Sequence, residues 1–162
     1  MRRSLVLWLF SAAGLAQAQF FGQANWQEGP VPPPPSFSVD RLLTFEGNRN
    51  SSLVYGIDPQ TLSISPADRV VRYVMVATSP SGVRNVFYEG IRCQTAQVKT
   101  YARHADGRWI LAADPAWQDM VSRPSRHALE LARQGVCDNA GTPASVDEIV
   151  RALRTGPGAL GR

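Results

Sequence analysis

Apolar and polar positions alternate through the middle of the chain, and that alternation predicts strands. The clearest case is residues 69–78. Val71, Tyr73, Met75 and Ala77 fall on one side; Val70, Arg72, Val74 and Val76 fall on the other. Both sides are mostly apolar, which marks a strand in the middle of a sheet with both faces covered. Ser79-Pro80-Ser81-Gly82 turns the chain, and residues 83–93 return as the antiparallel partner. Residues 97–103 and 108–112 form a second hairpin around Ala105-Asp106-Gly107. Upstream, residues 42–46 predict a short strand, and 53–57 and 61–64 read as strand, turn, strand about Asp58-Pro59-Gln60. Connections this short leave no room for parallel crossovers, so the sheet is expected to be antiparallel.

Past residue 113 the spacing becomes helical. Asp114 as a cap with Pro115 at the first helical position predicts a helix carrying Trp117, Met120 and Val121 on one side. Residues 125–134 predict another, with Ala128, Leu131 and Ala132 inward and Gly135 as its stop. Ser145-Val146-Asp147-Glu148 is a capping box, and Val146, Ile149, Val150 and Leu153 form the apolar stripe of the helix it opens. The fold class is therefore α+β. A single domain over residues 37–155 is expected, with an antiparallel sheet of about five to seven strands and about two or three C-terminal helices packed on one face. Residues 156–162, opened by Gly156-Pro157-Gly158, form a disordered tail.

The N-terminus adds a compartment. Arg2 and Arg3 precede an apolar run from Leu5 to Leu15 broken only by Ser11 and Gly14, and Ala16-Gln17-Ala18 is a small-x-small cleavage site. Residues 1–18 thus read as a signal peptide cleaved after Ala18, the run being shorter than the ~20 residues of a spanning helix. The mature protein is expected in the periplasm and not spanning the membrane. Residues 19–36 read as an extended arm: Phe20, Phe21 and Trp26 precede Gly29-Pro30-Val31 and four consecutive prolines, Pro32 to Pro35, which favour polyproline II. Either the arm straps its own domain with Trp26 plugged into the surface, or it is a ligand for a partner's aromatic groove.

Charge excludes more than it suggests. The formal net charge is +4, and Arg2 and Arg3 carry two of those charges. The remaining surplus is too small for a nucleic-acid footprint, so no nucleic-acid partner is expected. The two cysteines, Cys93 and Cys137, most simply pair in an oxidising compartment, a closure worth about 4 kcal/mol in the chain-entropy model. The alternative is a reactive thiol with His104 or His127 as base. Two Cys and two His so scattered offer no zinc site, and no cofactor or metal is expected.

Candidate chemistry centres on Asn85-Val86-Phe87-Tyr88-Glu89-Gly90-Ile91-Arg92-Cys93. A regular strand puts Glu89 on the core face with Phe87, Ile91 and Cys93, where a carboxylate must be paired or neutral. Arg72 on the neighbouring strand is a natural partner if its face matches, and Gly90 is a candidate bulge. In a structural reading Glu89 is locked by an arginine and backbone donors. In a functional reading Glu89, Tyr88, Arg92 and Arg72 line a small pocket with Glu89 as acid or base. His104 and His127 are expected to face solvent, and Trp109 and Trp117 to pack in the core. No nucleophile elbow, phosphate loop, zinc-protease or calcium-loop pattern is present.

Three stretches carry a family resemblance: Asp68-Arg69-Val70-Val71-Arg72-Tyr73, the 85–93 segment with its specific Tyr-Glu-Gly-Ile-Arg-Cys, and Asp106-Gly107-Arg108-Trp109, with Trp117 and Cys137 beyond. Over about residues 26–153 the chain resembles the cryptic-neisserial-protein-like family of small exported proteins. The resemblance implies a Gram-negative envelope and a single domain; it brings no activity and no functional residue. The leading expectation is a non-enzymatic binding or interaction module of the cell envelope, its partner an envelope protein or a small ligand. The alternative is an enzyme acting on an envelope polymer through Glu89.

Overall fold

Every side chain from Val71 to Ala77 is buried, so this segment lies in the middle of the sheet, as its two apolar faces require. The structure is a computed structural model and describes residues 26–47, 50–139 and 141–156. The signal segment, Phe20 and Phe21 of the arm, and residues 157–162 lie outside the described residues. In chain order the strands are β1 (Leu43–Phe45), β2 (Val54–Ile57), β3 (Ser63–Ile64), β4 (Val71–Thr78), β5 (Arg84–Arg92), β6 (Gln97–Ala105), β7 (Arg108–Leu111) and β8 (Gln118–Asp119). The helices are α1 (His127–Leu131) and α2 (Val146–Thr155).

The sheet has eight strands rather than the five to seven expected, in the order β1-β2-β4-β5-β6-β7, with all pairs antiparallel. The added strand is β8, and two edges of the sheet are each shared. β2 and β3 lie end to end along β4, and β7 and β8 lie end to end along β6. A predicted helix is lost in the same way. The 114–121 segment is not helical: Gln118 and Asp119 pair to Val98 and Gln97, and the Met120 amide donates to the Ala96 carbonyl before the chain turns. Backbone groups on an open strand edge need partners, and that need outweighs a weak Asp-Pro start signal. Among the described residues two short helices remain, and the domain is mostly sheet.

The helices cover one face. Val71, Tyr73, Met75, Ile91 and Val98 from the sheet meet Ala128, Leu131, Val136, Ile149 and Leu153. α1 runs on into a wider turn, Ala132–Val136, which breaks at Gly135 with φ 127°. A side chain there would be strained and would also collide with Ala152 of α2. Just beyond, Cys137 is bonded to Cys93 at a Cα–Cα distance of 5.5 Å, which removes the reactive-thiol alternative and ties the helical layer to the end of β5. Ser145 caps α2 by accepting from the Glu148 amide, as the capping box predicts.

The arm covers the other face. Val74, Val76, Val86, Tyr88, Tyr101 and Ala102 form a second core there, with Phe37 and Leu42 laid over it. Trp26 donates its indole N–H to the Asp68 carbonyl at 3.0 Å, and its ring meets Trp117 edge-on at 5.7 Å. From Trp26 onward the arm is thus a strap on its own domain.

Candidate functional site

Glu89 sits in the middle of the helix-side face, flanked by Tyr73 on β4 and Thr100 on β6. It is 1% exposed. A carboxylate so placed must be saturated with donors. The Thr100 hydroxyl donates to Oε1 at 3.1 Å, and the Tyr73 hydroxyl donates to Oε2 at 3.2 Å. The third partner is His127, the first residue of α1, whose Nε2 lies 2.8 Å from Oε2. The Ser125 hydroxyl lies 2.6 Å from the opposite ring nitrogen, Nδ1. The imidazole plane is held by stacking on Tyr55, 5.8 Å between centroids at 14°.

Electrostatics fixes the carboxylate end of this chain. Burial pushes Glu89 up, but the His127 ring, the nearby Arg123 charge and the Thr100 hydroxyl together hold its carboxyl below the usual range. Burial pushes the Tyr73 hydroxyl well up, and the adjoining carboxylate adds to that, so Tyr73 stays a donor. An ionised carboxylate only accepts, so Nε2 carries the hydrogen. Nδ1 and the Ser125 hydroxyl share the other hydrogen bond: a neutral ring accepts it from the Ser125 O–H, and a protonated ring donates it. Ser125 itself is exposed. It opens onto a cleft of about 250 Å³ with Leu53, Met75, Ala77 and Phe87 among its apolar lining, where Asn85, Thr100 and Arg123 join Glu89, His127 and Ser125 as polar members. A larger hollow of about 340 Å³ lies between the end of α1 and α2, away from this chain of bonds.

The expected cluster of Glu89, Tyr88, Arg92 and Arg72 does not form, because the sheet divides it. Tyr73 is the cross-strand partner of Glu89, and Arg72 is the partner of Gly90. Side chains of adjacent residues point to opposite faces, so Arg72, Tyr88 and Arg92 belong to the strap side. There Arg72 donates to Asp68 Oδ2 at 2.8 Å and lies 3.7 Å from Glu28. Arg92 stacks over the Trp26 ring at 3.9 Å, and Tyr88 packs on Tyr101 at 5.3 Å. Glu89 is locked by a histidine rather than an arginine.

Gly90 is not itself the bulge. Tyr88 pairs with Ala102 and Glu89 with Thr100, so the extra residue is Tyr101 on β6. Gly90 is bare because a side chain there would meet the Tyr101 hydroxyl at 2.7 Å. Tyr101 in turn donates to Glu28 Oε1 at 2.6 Å, while Lys99 and the Trp117 indole hold Glu28 Oε2 at 2.6 and 3.3 Å. Beside them, burial pushes Asp68 up, but hydrogen bonds from Arg72, Ser65 and the Val70 and Gly29 amides bring its carboxyl down to about 2.

A family model, that of the CNP1-like family, matches residues 22–154. The chain belongs to that family. No curated protein and no solved structure matches it. In this CNP1-like chain the Tyr-Glu-Gly-Ile-Arg-Cys stretch serves both faces at once. Glu89, Ile91 and Cys93 build the helix side; Tyr88, Gly90 and Arg92 build the strap side. Among the described residues no group of three or more His, Cys, Asp and Glu side chains could hold a metal ion, and no helix is long and apolar enough to cross a membrane.

His127 is buried rather than facing solvent, and the sequence held one signal for it. It stands four residues before Leu131, on the same inward stripe of α1. Ser125 and Glu28 carry no comparable signal. His104 is half-buried between Phe37 and Trp109, at 5.1 Å from each ring. Trp109 and Trp117 pack under the strap, as half-buried parts of the strap-side core and its rim.

Proposed function

We propose that this CNP1-like protein is an exported component of the Gram-negative cell envelope that works as a binding module, with the helix-side cleft as its ligand site. The cleft carries this reading: an apolar floor with a few fixed polar groups at one side is the usual form of a small-molecule site. Arg123 at its edge suits a ligand with an apolar body and an anionic or strongly polar end. The N-terminal charged, apolar and small-x-small pattern supports export, and the Cys93–Cys137 bond is compatible with an oxidising compartment. The arm has less support as a partner ligand, because Trp26 and Glu28 are already engaged by their own domain. Glu89 acting directly as acid or base on a polymer also has less support, since three donors hold it.

The test is titration of the purified mature protein with 1-anilinonaphthalene-8-sulfonate, an apolar anion. One saturable site is expected, lost in Asn85→Trp, which sets an indole across the cleft, with melting unchanged. Equal binding in that variant overturns the assignment. Export is tested by N-terminal sequencing of the periplasmic fraction, where Gln19 is the expected first residue.

A further inference from the structure

We propose that Ser125, His127 and Glu89 form a working relay that makes the Ser125 hydroxyl a nucleophile for acyl transfer, acting on esters whose apolar acyl group occupies the cleft. This rests on the cleft being a ligand site and adds chemistry to it.

Three observations carry the inference. The bonds run in series from a buried acceptor to an exposed hydroxyl: Glu89 to His127 at 2.8 Å, and His127 to Ser125 at 2.6 Å. A nucleophile hydrogen-bonded to a base, itself oriented by a third group, is the arrangement that activates a serine. Next, the assembly is fixed before any substrate arrives. Tyr73 and Thr100 hold the carboxylate and Tyr55 stacks on the imidazole. Finally, helix capping does not account for Ser125. α1 starts from Arg126 without a side-chain cap, and the Ser125 hydroxyl is directed to His127.

The reaction balances with water as the only co-reactant. Ser125 Oγ attacks the ester carbonyl carbon as its proton passes to His127 Nδ1. The C–O bond to the leaving alcohol breaks, and Nδ1 returns the proton to that oxygen, leaving an acyl group on Ser125. Water then gives a proton to Nδ1 and its oxygen attacks the acyl carbon. The Ser125 ester bond breaks, Oγ recovers the proton, and a carboxylic acid leaves. Glu89 is a positioning residue: it holds Nε2–H so that Nδ1 stays free to accept. Arg123 and Asn85, which line the same cleft, are assigned here as donors to the developing oxyanion.

The experiment incubates the mature protein with an alkyl fluorophosphonate and reads the adduct by intact mass and peptide mapping. One adduct on Ser125 is expected, absent in Ser125→Ala and retained in Ser122→Ala, a neighbouring exposed serine. Glu89→Gln should slow labelling by about 100-fold or more, while Ser122→Ala should leave both labelling and 1-anilinonaphthalene-8-sulfonate affinity unchanged. p-Nitrophenyl butyrate turnover should follow the same order. No adduct with a probe-binding cleft overturns the nucleophile and leaves the binding reading standing. No adduct and no probe binding overturns both. Labelling elsewhere, or labelling that survives Ser125→Ala, also overturns the proposal.

Discussion

The two faces of the sheet bury acidic groups at almost the same level, yet those groups end in different places. Tyr73 and Glu89 are cross-strand partners on the helix side, and the next pair along, Arg72 and Gly90, faces the strap. On the strap side the bonds run between the sheet and the arm. Asp68 accepts from Arg72 and from the Gly29 and Val70 amides, and Glu28 accepts from Lys99, Tyr101 and Trp117. Arg72 is 1% exposed, and the arm lies across the whole set. On the helix side the bonds run outward, from Glu89 through His127 to an exposed serine at a cleft. Enclosed charges of the first kind select a register and hold a strap. A buried charge whose hydrogen bonds lead to solvent is positioned to act on what enters. Two acidic sites only one residue apart in register therefore have different uses.

The largest expected effect tests the enclosed side. Arg72→Leu leaves the Asp68 carboxylate buried without its cation, which should cost about 3–5 kcal/mol in urea unfolding. Adding Asp68→Asn should recover part of that loss, since the uncompensated charge is then gone. A loss under about 1 kcal/mol for Arg72→Leu would mean that water reaches Asp68, and the distinction between the faces would collapse.

A smaller effect comes from acid. The Asp68 carboxyl titrates at about 2 in the folded protein against an ordinary 3.8. A depressed folded value means that the unfolded chain takes up the proton first. The stabilisation is therefore complete above about pH 4 and disappears as pH falls to about 2, an amount of about 2 kcal/mol. Unfolding midpoints measured over that window should fall more steeply for the natural protein than for Asp68→Asn. Parallel curves would place the acid sensitivity elsewhere, for instance at Asp58, which Arg41 and the Ser38 and Gln60 amides hold down against its burial.

Most of the sheet was legible because a period of two with apolar residues on both faces has few solutions, and β4, β5 and the β6–β7 hairpin lie close to where the pattern puts them. The site was not legible, because it depends on which faces meet. The turn closed by the Ser79 amide on the Val83 carbonyl sets Tyr73 against Glu89. A slip of one residue would have brought Arg72 onto Glu89's face and produced the expected pair. Nothing in the spacing of residues 79–83 decides between those registers. The 114–121 segment was misread for a related reason. Trp117 is drawn to Glu28 and Trp26, and the backbone beside it completes β6, both contacts with distant parts of the chain. His127 could have been read as inward from its place on the α1 stripe, but its carboxylate partner, 38 residues upstream, could not.

Glu89→Gln moves the test to the outward side. An amide can still accept from Tyr73, Thr100 or His127, but its NH2 group then faces a donor, which should cost about 1–3 kcal/mol. That is less than for Arg72→Leu, because no uncompensated charge is left inside. A loss as large as for Arg72→Leu would make Glu89 a structural lock equal to Asp68 and weaken the contrast.

Ser125→Ala should have the smallest effect on stability and the sharpest meaning. The hydroxyl is exposed and bonds only outward from His127, so its removal should shift the unfolding free energy by less than about 0.5 kcal/mol. If the same change abolishes fluorophosphonate labelling, the serine matters to the cleft and not to the fold, which is the property that separates the two faces. If instead it destabilises the protein by as much as Glu89→Gln, the three residues are one brace between α1 and the sheet. The hydrogen bonds of the helix side would then end in packing, as those of the strap side do.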